Sequence, residues 1–287
     1  MDQKLPLALY VVATPLGNLE DLSPRAKRIL ASVAYIAAED TRHSAPLLKH
    51  CGSRAIIFAA HQHNEQLAAR RIVGYLSENK PVALISDAGT PAISDPGSRI
   101  VAQVRQAGFP ITPIPGPCAL AVALSISGIH SPHFLFYGFL PAKKGARRAA
   151  LQELLFQPHS LVFYEAPHRL LAMLEDCIQI LGGERRGLLA REISKLYETL
   201  HQDQLIALLP WLQADPTRQK GEHVVIIEPA ADNSDSGCER PEANRVLQLL
   251  LAQKLPVKQC AKLAAQLTGG SKNDMYKLAL SLKEEKK

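Results

Sequence analysis

Short apolar runs alternate with amphipathic stretches through the first half of the chain. Leu7–Ala13 is rich in Val and carries no charge. Val33–Ala38, Ala55–Ala59, Val82–Ile85 and Ile111–Ile114 repeat the pattern. Continuous apolar runs bounded by turn residues mark strands buried on both faces, which is the signature of a parallel sheet. The stretches between them read as helices. Ser23-Pro24 suits an N-cap followed by a first-turn proline, and Glu65–Ser77 has helical periodicity. A third helix starts after Asp95-Pro96 and runs to about Ala107, where Gly108 stops it. The βα rhythm pauses around Gly128, His130 and Pro132. It resumes with strand-like runs at Phe134–Tyr137, Leu161–Tyr164 and Leu188–Ala190. The helix from about Arg169 to Leu181 has an apolar stripe and ends at Gly182-Gly183. Leu196–His201 and His223–Glu228 are expected to pair as late strands, so the second half reads as mixed. Residues 230–241 are polar and turn-rich, as a linker would be. Three helical segments follow, at about Glu242–Gln253, Val257–Leu267 and Lys272–Lys283, with Gly269-Gly270 as a turn.

These patterns predict an N-terminal α/β domain over 1–127, a second α/β domain over 128–230, a linker over 231–241 and a helical extension over 242–287. A length of 287 residues fits that division. No apolar run is long enough to span a membrane. The first apolar stretch is short and lacks a small-residue cleavage pattern, so it reads as a strand and not as a signal peptide. The five cysteines, Cys51, Cys118, Cys177, Cys238 and Cys260, are odd in number and scattered. Neither a disulfide framework nor a zinc motif has that spacing, and a reducing, cytoplasmic setting is expected. The formal net charge of +6 hints at an acidic partner such as nucleic acid.

Four loops follow apolar strands, where ligands gather in open α/β sheets. They are Thr14–Asp21, Glu39–His43, Ser86–Gly97 and Pro115–Ala119. None contains the glycine pattern of a dinucleotide or nucleoside triphosphate loop. What remains is small residues, backbone amides and a few carboxylates, a set suited to a zwitterionic ligand without a polyphosphate. His61-Gln62-His63 would place two histidines on one strand face, but no third ligand is visible and no metal is expected.

The four loops, in this order, resemble those of the tetrapyrrole methylase superfamily. Gly138-Phe139-Leu140-Pro141, Phe163–Arg169, Ala190-Arg191-Glu192 and Lys220-Gly221-Glu222 continue the likeness, which covers roughly Leu9 to Glu228 and extends into the tail. The second-half motifs are closest to the branch that acts on small-subunit ribosomal RNA. The resemblance implies two α/β domains with S-adenosylmethionine bound in the cleft between them. It also implies methylation of the ribose 2′-oxygen of a cytidine in the decoding region, and usually a homodimer. The substrate would be naked small-subunit ribosomal RNA or the assembled small ribosomal subunit. Competing readings are a methyltransferase for a tetrapyrrole precursor and a non-catalytic RNA-binding assembly factor.

Under this resemblance Pro15, Asp87, Ala88, Gly89, Thr90 and Ile93 would contact the methyl donor, as would Pro117, Cys118, Ala119, Tyr164 and Ala190. Candidate proton acceptors are Asp40, Glu165 and Glu192, with His43 a further possibility. Arg42 and His43 would meet the RNA at the cleft mouth. Arg169, Arg191 and Lys195 would hold phosphate or a developing alkoxide. Lys143, Lys144, Arg147 and Arg148 form a basic run suited to phosphate contacts on the second domain.

Overall fold

A computed structural model describes residues 5–129, 133–229, 241–253, 255–268 and 271–284. The proposed linker up to residue 240, the turn at Gly269-Gly270, Cys238, His130 and Pro132 lie outside the described residues.

The chain begins β1 (Leu9–Val12), α1 (Pro24–Ser32), β2 (Tyr35–Ala38), α2 (Thr41–His50), β3 (Ile56–Ala59), α3 (Glu65–Ser77) and β4 (Val82–Ile85). It continues with α4 (Ser98–Gln106), β5 (Ile111–Ile114) and α5 (Ala119–Ser125). Ser23 caps α1 by accepting from the Ala26 amide, and Pro24 fills its first turn, as its residue type dictates. The five strands form one parallel sheet in the order β3-β2-β4-β1-β5. Because every pair is parallel, all five C-terminal ends reach the same edge. Apolar clusters cover both faces: Tyr10, Ile36 and Leu30 belong to one, and Leu9, Leu84 and Ile72 to the other. Double-sided burial is the reason the three central strands, β2, β4 and β1, read as continuous apolar runs.

The second half contains β6 (Phe134–Phe139), α6 (Lys144–Leu154), β7 (Ser160–Glu165), α7 (Leu170–Leu181), β8 (Arg186–Arg191), β9 (Thr199–Gln204), α8 (Leu205–Gln213) and β10 (His223–Ile227). Its sheet is mixed, as expected, in the order β6-β7-β10-β8-β9. The expected pairing of the two late strands is not observed. β8 lies between them and pairs antiparallel with both, so β9 is an edge strand. The burial pattern carries the reason: β10 is buried at every position, whereas β9 is exposed or half-buried throughout. α5 packs on this second sheet, where Ala123 joins Val162, Leu188 and Ile226.

The tail forms α9 (Pro241–Ala252), α10 (Val257–Thr268) and α11 (Lys272–Glu284), packed around Leu247, Cys260, Ala264 and Leu278. No helix among the described residues is long and apolar enough to cross a membrane.

Candidate active site in the cleft between the two sheets

The loops at the C-terminal edge of the first sheet are tied into one surface. β1 and β4 are neighbours, and just beyond them Thr14 and Gly89 form an isolated antiparallel bridge. The Thr14 amide donates to the Gly89 carbonyl at 2.8 Å, and the Gly89 amide returns a bond to the Thr14 carbonyl at 3.0 Å. The buried Thr14 hydroxyl donates to the Ser86 carbonyl at 3.1 Å. Thr90 donates from its hydroxyl to the Pro117 carbonyl at 3.0 Å, joining the third loop to the fourth. The Asp40 amide donates to Asp87 Oδ1 at 3.0 Å, joining the third loop to the second. Gly89 has φ +83, which favours glycine.

Opposite this surface stands the C-terminal end of β7 with the start of β10 and the turn after β8. Between them is a cavity of about 350 Å³. From the first half Leu16, Glu39, Asp87, Ala88, Gly89, Thr90, Ile93 and Asp95 line it, joined by Cys118 and Ala119. From the second half come Phe139, Tyr164, Glu165, Ala190, Glu192 and Lys195, with Glu222 and Val224. The two walls touch at named points. The Leu120 amide donates to the Tyr164 hydroxyl at 3.0 Å, and the Ser194 hydroxyl donates to Asp21 Oδ2. The backbone is left-handed at Ala92, Ser94, Glu192 and Ser194, all in the two loops that face each other.

The electrostatics of the cavity are acidic. Burial pushes the Asp95 carboxyl up to about 7, and the negative charges of Glu39, Asp87 and Glu222 push the same way against a hydrogen bond from Ser86. Glu39 is raised by burial and by Asp87. Glu165 is raised by burial, opposed by the Ala166 amide and by Arg169. Its side chain is fully buried, Oε1 lies 3.1 Å from Arg169 Nε, and Oε2 has no hydrogen-bond partner. Glu192 differs. Burial raises it, but the Glu222 amide and the Lys195 ammonium, 2.9 Å from Glu192 Oε1, outweigh that and hold it low.

Of the residues singled out from sequence, the structure brings Asp87, Ala88, Gly89, Thr90, Ile93, Cys118, Ala119, Tyr164 and Ala190 to the cavity, with Glu165, Glu192 and Lys195. Pro15 and Pro117 are not on the cavity lining, though the Pro117 carbonyl accepts from Thr90. Asp40 is not on its wall. Its carboxylate caps α2, accepting from the Arg42 and His43 amides. Arg42 and His43 are exposed at the same sheet edge. Arg191 is committed to the carbonyls of Lys220 and Tyr197, and Arg169 to Glu165 and the Leu140 carbonyl.

The basic run at the start of α6 divides. Lys143 and Lys144 are exposed, but Arg147 is buried, with Nη2 2.7 Å from Asp176 Oδ2, and Arg148 Nε lies 2.7 Å from Asp176 Oδ1. This corrects the expected role of Arg147 as a phosphate contact, because its guanidinium is sealed inside the second half. His61-Gln62-His63 is also corrected: it lies beyond β3, in a turn, not on a strand face. Among the described residues no three His, Cys, Asp or Glu side chains are placed to hold a metal ion.

Asp95, Glu222, Leu16 and Phe139 were not singled out as cavity residues from sequence. Asp95 had a visible signal, an acid inside a loop already marked as ligand-binding. Glu222 had only its place in a short motif. Leu16 had its place in the first loop, and Phe139 its place in the Gly138–Pro141 motif.

A family model for tetrapyrrole (corrin/porphyrin) methylases matches residues 8–208, and a model for an RsmI C-terminal HTH domain matches residues 239–283. The protein named ribosomal RNA small subunit methyltransferase I in Pseudomonas aeruginosa is 50% identical over 95% of this chain and 96% of its own. Its namesake in Neisseria meningitidis is 42% identical over 96% and 94%. Among solved structures, the methyltransferase CobJ superposes with a TM-score of 0.58 at 19% identity, covering 78% of this chain and 95% of its own. Uroporphyrin-III-C-methyltransferase from Thermus thermophilus superposes with a TM-score of 0.54 at 17% identity over 77% and 93%. At such identity these two speak for the fold alone.

Proposed function

We propose a function from the premise that the chain belongs to the tetrapyrrole methylase family, within the group of ribosomal RNA small subunit methyltransferase I. It is an S-adenosylmethionine-dependent methyltransferase of small-subunit ribosomal RNA. The reaction is transfer to the ribose 2′-oxygen of a cytidine in the decoding region, inside the cytoplasm.

One observation carries this reading: a cavity between the two sheets whose wall holds six carboxylates, Glu39, Asp87, Asp95, Glu165, Glu192 and Glu222. Its size suits one compact cofactor, and its negative lining suits a cation. The buried, unpartnered Glu165 Oε2 is an acceptor that a bound N–H or O–H group would satisfy. S-adenosylmethionine supplies an activated methyl group on a positively charged sulfur. Ala88, Gly89, Thr90 and Ile93, with Cys118 and Ala119, would hold it from the first half, and Tyr164 and Ala190 from the second.

The chain's own task is to align a hydroxyl and take its proton. Among the carboxylates considered, Asp95 is the best suited. Its pKa of about 7 lies near working pH, where a base is both available and strong enough. Asp40 is occupied as a helix cap, and Glu192 is held ionised by Lys195, which makes it a weak base. Arg42 and His43, exposed at the sheet edge, would meet RNA at the mouth, and so would Lys143 and Lys144 on the second half.

The protein acts as a homodimer in this reading. The groove lined by Leu120, Leu124, Ile129 and the half-exposed Phe134 supports it.

The deciding test is transfer of tritiated methyl from the donor to small ribosomal subunits, to naked ribosomal RNA and to a tetrapyrrole precursor in parallel. Label in the 2′-O-methylcytidine of RNA is expected. Label in the precursor alone overturns the reading.

A further inference from the structure

A second depression opens at the same edge of the first sheet, between α3 and α4, with a volume of about 450 Å³. Its wall holds His63, Gln62, Gln66, Arg70 and Arg99 around the buried Glu65. The folding of this corner uses up some of its polar groups and leaves others free. Asn64 staples the turn: its Oδ1 accepts from the His61 amide at 2.9 Å, and its Nδ2 donates to the Ala59 carbonyl at 3.1 Å. Glu65 Oε1 accepts from the Gly97 amide at 2.6 Å, and Oε2 lies 3.8 Å from Arg99 Nε. The acid in this cleft is therefore already committed to the protein.

The cations are not. Arg99 keeps 71% of its side chain exposed despite its pairing with Glu65. Arg70 is exposed, and no hydrogen bond, ion pair or ring contact holds its guanidinium among the described residues. Its neighbour Arg71 differs: its guanidinium lies 4.4 Å from the Phe58 ring centre and serves packing. Two open guanidiniums with amide and imidazole donors beside them are the chemistry that receives phosphate oxygens. The position matters as much as the charge. Gly97, held by Glu65, ends the loop that carries Asp95 into the methyl-donor cavity, and Arg42 is exposed at the end of the neighbouring strand β2.

We infer that the α3–α4 cleft binds a backbone phosphate of the RNA beside the target nucleotide, through Arg70, Arg99 and His63. This rests on the ribosomal RNA reading above. It gives the RNA a track along the strand ends of the first sheet, from Arg42 to Arg70. The track lies on the half opposite the exposed lysines of α6. It also gives His61-Gln62-His63 a purpose: the turn projects a donor into the cleft.

The test compares the full chain with Arg70→Glu and with Gln66→Lys, using small-subunit ribosomal RNA as the probe at several salt concentrations. Both positions are exposed, so both variants are expected to keep the wild-type melting temperature. Arg70→Glu should raise the KM for RNA about tenfold or more. Its plot of log affinity against log salt should be shallower by about one, the slope of one phosphate contact. Gln66→Lys should lower the KM and steepen the plot. The dissociation constant for S-adenosylmethionine should stay within about twofold in both. An unchanged KM and salt slope in both variants, with wild-type methylation intact, overturns the cleft and leaves the proposed reaction standing. Wild-type protein that binds RNA without methylating it, with binding weakened by Arg70→Glu, sinks the reaction and supports the cleft.

Discussion

The carboxylate of Asp87 receives the backbone amide of Asp40 across a separation of 47 residues, at 3.0 Å. Two loops at the cavity edge are thereby locked to one another. Asp87→Ala removes the acceptor and a negative charge together, and donor affinity should fall by about tenfold or more. Asp87→Asn keeps an oxygen for the Asp40 amide and should recover part of the loss. Calorimetric titration with S-adenosylmethionine checks both. Equal affinities in wild type and Asp87→Ala would falsify the locking role.

Asp95 should govern the pH dependence. Deprotonation through about pH 7 makes it a base, so kcat/KM should rise across that range and level off above it. A bound cation favours the carboxylate, so kcat should level off at lower pH than kcat/KM. Asp95→Asn should lower kcat by about a hundredfold and abolish the inflection. A variant that retains the wild-type pH profile rules this assignment out.

The same residue makes a stability prediction with a defined sign. Its folded pKa lies above the ordinary carboxylate value, so the folded state holds the proton more tightly. That contribution is complete below about pH 4 and is lost as pH rises through about 7. Asp95→Asn should therefore stabilise the ligand-free protein at pH 8 and not at pH 4. The gain is on the order of 1 kcal/mol once solvent screening is allowed for. Thermal melts at the two pH values measure it.

Arg147 and the lysines before it should separate cleanly. Arg147→Ala strands the buried Asp176 carboxylate with only Arg148 beside it, and should cost about 3–5 kcal/mol of stability with little change in RNA affinity per folded molecule. Lys143→Glu with Lys144→Glu should leave the melting temperature near wild type and weaken RNA binding several-fold, most at low salt. Denaturation curves paired with filter binding tell the two apart. Intact stability in Arg147→Ala contradicts the structural role.

Gly221 holds φ +85, and a methyl group there would sit 2.4 Å from Glu192 Cγ. Gly221→Ala should cost about 1–3 kcal/mol and push Glu192 and Lys195 into the donor cavity. The expected result is a weaker donor complex at unchanged RNA affinity. A donor dissociation constant equal to wild type would mean the Glu192–Lys195 pair moves aside freely.

The strands at Val82–Ile85 and Ile111–Ile114 and the helix at Glu65–Ser77 were legible to the residue, because a short apolar run between turn residues and helical periodicity are local patterns. Strand partners are not local, and the expected pairing of Leu196–His201 with His223–Glu228 fails because β8 comes between β9 and β10. Arg147 itself carries a burial signal in the sequence. It falls on the stripe of Ala150, Leu151 and Leu154 at helical spacing, so the periodicity that buries those residues buries it too. Most of the donor wall was readable as loops after strands. The acid Asp95 stands in one of those loops, but its raised pKa comes first from burial and then from the charges of Glu39, Asp87 and Glu222, and all of these arise only in the folded chain.

Glycine occupies two of the points where the halves meet. A methyl at Gly17 would fall 2.4 Å from the Lys195 stem, and one at Gly138 would fall 2.7 Å from Ser94 Oγ. The aperture of the cleft is thus set by two missing methyl groups, one on each half, acting as the thinnest possible shims. Alanine at either site would be a wedge, and the two together a ruler for testing how wide the jaws can stand before the methyl group no longer reaches the sugar.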